Sequence, residues 1–269
     1  MVAREGGTDR LWAVAEAYEP YVGRWSRRVA AVFLDQLGVA PGARWVDVGC
    51  GTGALTGAIL GRCDPLSVVG IDRSEAFLAY ARHRLPDPRL TFRQGDAQAL
   101  PVPDAGCDAV VSGLALNFVP DQPRAVAEMR RVLPPGGRGA AYVWDYAEGM
   151  QMMRRFWDAA AALDPAGASE RDEALRFALC RPEPLRTLFE GGGFHGVSVA
   201  AIEVPTVFRD FEDYWTPFLG GGAPAPAYCL SLGEGRRAAL RERLRASLPV
   251  APDGSIRLSA RAWMVRGTA

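Results

Sequence analysis

Lysine is absent from this chain, and all 31 basic residues are arginine. That excludes chemistry needing a lysine amine: a Schiff base with a carbonyl substrate, a pyridoxal phosphate enzyme, or the lysine of a P-loop. Histidine is scarce, at His83 and His195 only. The five cysteines, Cys50, Cys63, Cys107, Cys180 and Cys229, are dispersed without C-x-x-C or zinc-ligand spacing, so no redox dithiol and no metal site are expected. An odd, scattered set of thiols in 269 residues suits a reducing compartment. Neither sign of charge prevails: 31 acidic residues balance the basic ones, leaving no electrostatic case for nucleic acid or an anionic membrane. Membrane-length apolar runs are missing, and Met1 to Arg10 is polar without an apolar signal core. The expectation is a cytoplasmic monomer or homodimer that acts on a small molecule.

What is present is concentrated in Trp45-Val46-Asp47-Val48-Gly49-Cys50-Gly51-Thr52-Gly53. A buried strand runs into a turn with glycine at alternate positions, where positive φ and close approach of a ligand are both permitted. Ala54–Leu60 then reads as a helix, whose first-turn N–H groups face whatever lies over the loop. This is the build of a nucleotide-type cofactor site at the C-terminal edge of a parallel sheet. The loop alone is ambiguous, since Gly49, Gly51 and Ala54 also satisfy the permissive dinucleotide pattern. Asp47, inside the strand end, would repel a pyrophosphate and suits a ligand bearing an ammonium or sulfonium charge. Asp72 closes the second strand about twenty residues on, the place of a ribose-binding carboxylate. Its neighbour Arg73 would welcome a 2′-phosphate, which keeps a nicotinamide-dependent oxidoreductase open. Asp96, after the run Leu90–Gln94, adds an acceptor for an adenine amino group.

Strand-like and helix-like segments alternate through the first half. Trp12–Tyr18 and Val22–Leu37 read as helices, and strands are expected at 44–48, 66–71, 90–94, 107–112 and 139–144. Ser74 and Asp121 are placed to cap the helices that follow them. Beyond Trp144 helices are expected over Met150–Leu163, Glu170–Leu179, Pro184–Glu190, Phe211–Leu219 and Arg236–Leu248, with strands at Val197–Val207 and Ile256–Val265. Gly220–Pro226 reads as an ordered lid or substrate loop. The implied fold is α/β: a seven-stranded, mostly parallel, Rossmann-like sheet with helices on both faces and a helical cap. One domain is expected over 1–269, with the cap over about 8–38, the cofactor-binding core over about 40–145, and acceptor or lid insertions over about 146–195 and 208–235.

On the glycine loop, Asp47, Asp72 and Gly95-Asp96-Ala97, the chain resembles the class I S-adenosylmethionine-dependent methyltransferases, in the bacterial small-molecule branch related to quinone C-methyltransferases. The resemblance is strong from Tyr18 to about Leu133 and loose elsewhere. It implies S-adenosyl-L-methionine as cofactor, its methionine portion surrounded by Asp47, Gly49, Cys50, Gly51 and Gly53 and closed by the Ser112 region. It gives the ribose to Asp72 and the adenine to Asp96 and the Ala97 backbone. Tyr18–Trp25 resembles the family's N-terminal cap; Tyr21 would pack over the cofactor and Arg24 would pair with the methionine carboxylate. The bland alternative for these two is a core tyrosine and a surface arginine.

Methyl transfer asks mainly for alignment and exclusion of water, so no catalytic residue is assigned. His83 and His195 are expected in helix-surface and turn positions away from the chemistry. Asp145, Tyr146 and Glu148, just past the fifth strand, are better placed for acceptor contact. Asn117, Trp144, Tyr146 and Trp215 are the acceptor-side candidates, and the aromatic and methionine content of the second half suits an apolar pocket. Tyr214, Trp215 and Phe218, before the Gly/Pro stretch, are expected to close as a lid, with a core anchor as the alternative. The expected function is methyl transfer from S-adenosylmethionine to a small apolar or aromatic metabolite. A same-fold enzyme catalysing cyclisation or rearrangement with the cofactor as scaffold, and a cofactor-binding subunit without turnover, stand as rivals.

Overall fold

The computed structural model describes residues 19–220 and 223–269. The expected helix at Trp12–Tyr18, and the start of the expected cap, lie outside the described residues. A π-helical turn, Glu19–Gly23, leads into α1 (Arg24–Leu37), which buries Trp25, Val29, Phe33 and Leu37 along one stripe. There follow β1 (Arg44–Val48), α2 (Ala54–Arg62), β2 (Ser67–Asp72), α3 (Glu75–Arg84), β3 (Leu90–Gln94), β4 (Ala109–Gly113), α4 (Gln122–Arg131) and β5 (Arg138–Trp144). The second half comprises α5 (Gln151–Ala161), α6 (Pro165–Ser169), α7 (Glu173–Arg176), α8 (Pro182–Gly191), β6 (His195–Phe208), α9 (Phe211–Trp215), α10 (Pro224–Ser231), α11 (Glu234–Ser247) and β7 (Ile256–Thr268).

The seven strands form one sheet in the order β3-β2-β1-β4-β5-β7-β6. β1 to β5 are parallel, whereas β7 runs antiparallel between β5 and β6. Burial follows from that order. Central β1, β4 and β5 are apolar along nearly their whole length because helices cover both faces. Outer β6 buries Ile202, Val204, Thr206 and Phe208 and exposes the residues between, the alternation of a half-solvated antiparallel strand. The order reverses between β1 and β4, so the crevice beyond the C-terminal ends of these strands is the natural ligand site.

Helix starts follow their caps. Ser74 Oγ accepts from the Phe77 N–H, and the Asp121 carboxylate accepts from the Arg124 N–H with Pro123 in the first turn. Three expectations for the second half are corrected. The continuous helix expected over Glu170–Leu179 is broken, because the Asp172 side chain accepts from the Ala174 N–H and starts α7 afresh. Arg154 fixes that cap with an ion pair to Asp172 at 2.7 Å. The loop expected over Gly220–Pro226 is helical from Pro224, since a proline at the first helical positions needs no N–H partner. The helix expected over Phe211–Leu219 tightens to a 3-10 turn after Trp215, where Pro217 has no N–H for the α ladder.

Trp215 brings a fourth correction, and this one bears on function. It is 3% exposed, packed against Phe211 and Phe218 with ring centroids 6.4 and 6.3 Å away. Phe218 in turn stacks on Phe156 at 4.4 Å and meets Tyr21 edge-on at 5.7 Å. Trp215 is therefore a core anchor rather than a lid. Trp215→Ala is expected to cost about 3–5 kcal/mol of stability, as for other buried large aromatics, measured by urea unfolding. A loss below about 1 kcal/mol would return the residue to a surface role.

Candidate cofactor site

The glycine loop is held by the end of β2. The N–H groups of Gly49 and Cys50 both donate to the Ile71 carbonyl, at 2.7 and 3.0 Å. Gly49 has φ +73°, and a Cβ there would lie 2.4 Å from the Ala115 side chain, so the position requires glycine. Gly51 N–H donates to Asp72 Oδ2 at 2.9 Å, while Asp72 Oδ1 accepts from the Ser74 N–H at 2.9 Å. One carboxylate thus ties the loop to the start of α3, and each oxygen retains a lone pair for a ligand.

These elements surround a cavity of about 490 Å³ at the crossover edge of the sheet. Of the residues expected to hold the cofactor, Tyr21, Asp47, Gly49, Cys50 and Gly51 line it on the loop side. Asp72, Arg73, Asp96 and Ala97 line the side under β2 and β3. The Gln98 backbone N–H and side-chain amide both donate to Asp96 Oδ1, at 2.9 and 3.0 Å, and hold its carboxyl below the usual range. Arg73 Nε lies 3.9 Å from Asp96 Oδ2 with most of its side chain in solvent.

Asp47 is the electrostatic centre of the site. It is 1% exposed and accepts a 2.6 Å hydrogen bond from Thr56 Oγ1, but no cation pairs with it among the described residues. Burial pushes its carboxyl up to about 7, and the negative charge of Asp72 adds to this, while the Thr56 hydrogen bond pulls the other way. A buried carboxylate in this condition is completed by a positively charged ligand.

Other expected residues lie elsewhere. Gly53, at φ +83°, faces Leu85 and Ala81, where a Cβ would come within 2.7 Å of Leu85; it serves packing behind the loop. Ser112 is buried in β4, and its neighbour Gly113 reaches the cavity instead. Arg24 does not line the cavity: its guanidinium pairs with Asp213 at 3.2 Å and lies over Trp25 and Phe208. Trp144 is a core residue of β5, and Tyr146 is buried against Phe177. Asp145 is not free for an acceptor, since Arg261 pairs with it at 2.7 Å and reaches Glu148 at 3.2 Å. Asn117 lines a second cavity, of about 540 Å³, that adjoins the first. His83 and His195 are exposed, in α3 and at the start of β6, and line neither cavity.

The sequence reading missed the cavity's apolar wall: Leu114, Ala115, Phe118, Val119 and Pro120 after β4, with Phe77 from α3. Gly220, Ala223 and Pro226, from the stretch read as a lid or substrate loop, line the cavity where Trp215 was expected. The run Gly113-Leu114-Ala115-Leu116-Asn117-Phe118 follows a central strand at its C-terminal end, and that position was the available signal.

Residues 46–141 match the family model described as a methyltransferase domain. Among curated relatives, a trans-aconitate 2-methyltransferase of Variovorax paradoxus is 34% identical over 150 residues, covering 55% of this chain and 57% of the relative. A demethylmenaquinone methyltransferase of Symbiobacterium thermophilum is 38% identical over 120 residues, covering 43% of this chain and 46% of the relative. The chain thus spans about half the length of these relatives. Among solved structures, the 4+2 cyclase SpnF superposes with a TM-score of 0.52 at 18% identity, over 90% of this chain and 80% of that one; this likeness concerns the fold. Residues 46–141 belong to the class I S-adenosylmethionine-dependent methyltransferases. That assignment decides between the two cofactors the glycine loop left open.

The Asp47 shift has a defined pH signature. Its folded value of about 7 lies above the ordinary 3.8, so the neutral acid favours the fold. This contribution is complete below about pH 4, declines as pH rises, and is lost above about pH 7. A cationic ligand reverses the preference by favouring the carboxylate. Affinity for S-adenosylmethionine is expected to rise roughly tenfold from about pH 6 to about pH 8 by titration calorimetry. Asp47→Asn should flatten that dependence, and an equally steep profile in the variant would refute the assignment.

Proposed function

We propose that the protein transfers a methyl group from S-adenosylmethionine to a small apolar or aromatic acceptor. The carrying observation is the convergence of Asp47, Asp72 and Asp96 with the glycine loop on one cavity within the family-matched segment. The residues present fit the cofactor: Asp47 lacks a cation, Asp72 offers acceptors to ribose hydroxyls, and Asp96 is kept ionised to accept from the adenine amine. When bound, the sulfonium supplies an already activated methyl group. The chain's part is then to align the acceptor and exclude water.

The relatives named above act on chemically different acceptors, and the lining of this chain's cavities favours the apolar kind. Phe77, Leu114 and Phe118 wall the first cavity, and Phe118, Phe177 and Leu179 the second. Arg73 and Arg176 are the only basic residues among the described lining residues, both largely in solvent, too few for a polycarboxylate. Asp72→Ala should weaken S-adenosylhomocysteine binding by about 2–3 kcal/mol, the range for hydrogen bonds to a charged group, read by calorimetry. Unchanged affinity would contradict the assignment. Incubating the wild type with methyl-labelled cofactor and a panel of apolar ring acceptors should yield a labelled product; binding without label transfer would instead favour scaffold chemistry.

A further inference from the structure

The second cavity, of about 540 Å³, differs in chemistry from the first. Asp47, Asp72 and Asp96 line the first, whereas no carboxylate lines the second among the described residues. Its polar lining consists of two side-chain amides, Asn117 and Gln122, and one guanidinium, Arg176. The remainder is apolar, chiefly Phe118, Phe177 and Leu179. Phe118, Val119 and Pro120 line both cavities, so a molecule seated in the second abuts the space for the cofactor.

The donors of this lining are fixed in place and short of partners. Leu116–Phe118 forms a 3-10 turn beyond β4, in which the Phe118 N–H donates to the Ala115 carbonyl at 3.0 Å. Leu116 is fully buried and anchors the turn, and Asn117 beside it is 5% exposed. The Asn117 amide Nδ2 is buried without a hydrogen-bond partner. Buried donors without an acceptor are rare in folded proteins, and one in a cavity wall calls for a ligand that accepts from it. Arg176, at the end of α7, has its guanidinium 5.7 Å from the Phe177 ring centroid and forms no ion pair among the described residues. Carboxylates on the adjoining elements are otherwise engaged: Asp121 caps α4, Asp172 pairs with Arg154, and Glu173 accepts from the Trp157 indole. Phe118 and Phe177 meet edge to face with ring centroids 5.0 Å apart, and 58% of Phe118 stays uncovered at the wall common to both cavities.

We propose that the second cavity is the acceptor subsite and that it takes an aromatic molecule carrying a single carboxylate. This rests on the methyl-transfer reading given above. The ring lies against Phe118 and Phe177, and the carboxylate accepts from the Asn117 amide and the Arg176 guanidinium. Hydrogen bonds from such donors to an ionised acceptor are stronger than those to a neutral one. Asn117 and Arg176 are therefore the specificity residues for the anionic end. The two cavities sort their ligands by charge: the acids of the first admit a cationic cofactor, and the second offers an anion donors without a lining acid to repel it.

The test needs no knowledge of the natural acceptor. The full chain, saturated with S-adenosylhomocysteine so that the first cavity is filled, is assayed by equilibrium dialysis with 2-naphthoate and with its neutral isostere 2-naphthamide. The wild type should bind 2-naphthoate about tenfold more tightly than 2-naphthamide, the worth of hydrogen bonds to a charged rather than a neutral acceptor. Arg176→Gln and Asn117→Leu should each reduce that preference to about threefold or less. Phe177→Ala should weaken both probes by a similar factor and leave the preference intact. S-adenosylhomocysteine affinity, which reports the fold, should stay as in the wild type in all three variants. Equal binding of the two probes by the wild type would overturn the proposal. A preference that survives both polar substitutions, or probe binding that is lost when S-adenosylhomocysteine is present, would overturn it equally. A wild type that does not bind S-adenosylhomocysteine at all would overturn the methyl-transfer reading and, with it, the cavity's role as acceptor subsite.

Discussion

The site depends on a small set of backbone hydrogen bonds at the tip of β2. Two successive N–H groups of the glycine loop share the Ile71 carbonyl, and a third reaches the Asp72 carboxylate. These bonds hold the loop open over the crevice between β1 and β4 and fix Gly49 in a left-handed conformation against Ala115. The same carboxylate starts the helix after β2 through Ser74. A residue read from sequence as a ligand contact is thus also the clamp that shapes the ligand's floor. Its replacement would alter affinity by two routes, one through lost contacts and one through a loosened loop.

The acidic centre of the proposed site is built with few charged partners. Asp47 has a single hydroxyl partner and a like-charged neighbour, and burial dominates its ionisation. With its carboxyl pushed up to about 7, Asp47 is spared an isolated buried charge only below that pH. On the proposed reading a cationic ligand would draw out the carboxylate and couple binding to proton release. Asp96 follows the opposite logic, since its amide donors keep it ionised before any ligand arrives.

The sequence made the cofactor half of the fold legible because its signals are local. β1 and β3 have the bounds expected from their residues, Ser74 and Asp121 cap where their side chains predict, and the acidic residues converge as their positions at strand ends require. The second half was legible only in outline. Asp172 restarts a helix that composition alone would continue, and Pro224 starts one where proline and glycine suggested a loop. Arg24 was misplaced because its partner Asp213 lies 189 residues further along the chain, beyond the reach of any local pattern.

The position of β7 has a consequence for the order in which the protein can assemble. β1 to β5 are neighbours in the sheet and all precede residue 145, so the crevice floor can form from chain already synthesised. β6 has no place beside β5 until β7, the last strand in sequence, has entered between them. During synthesis a long strand with an apolar face must therefore wait, unpaired, while α9, α10 and α11 emerge. Such a strand is the segment most exposed to mispairing. Across the two strands Arg261 faces Glu203 and Arg266 faces Ser198, with hydrogen bonds at 3.5 and 3.1 Å, and a slipped register would lose both pairs.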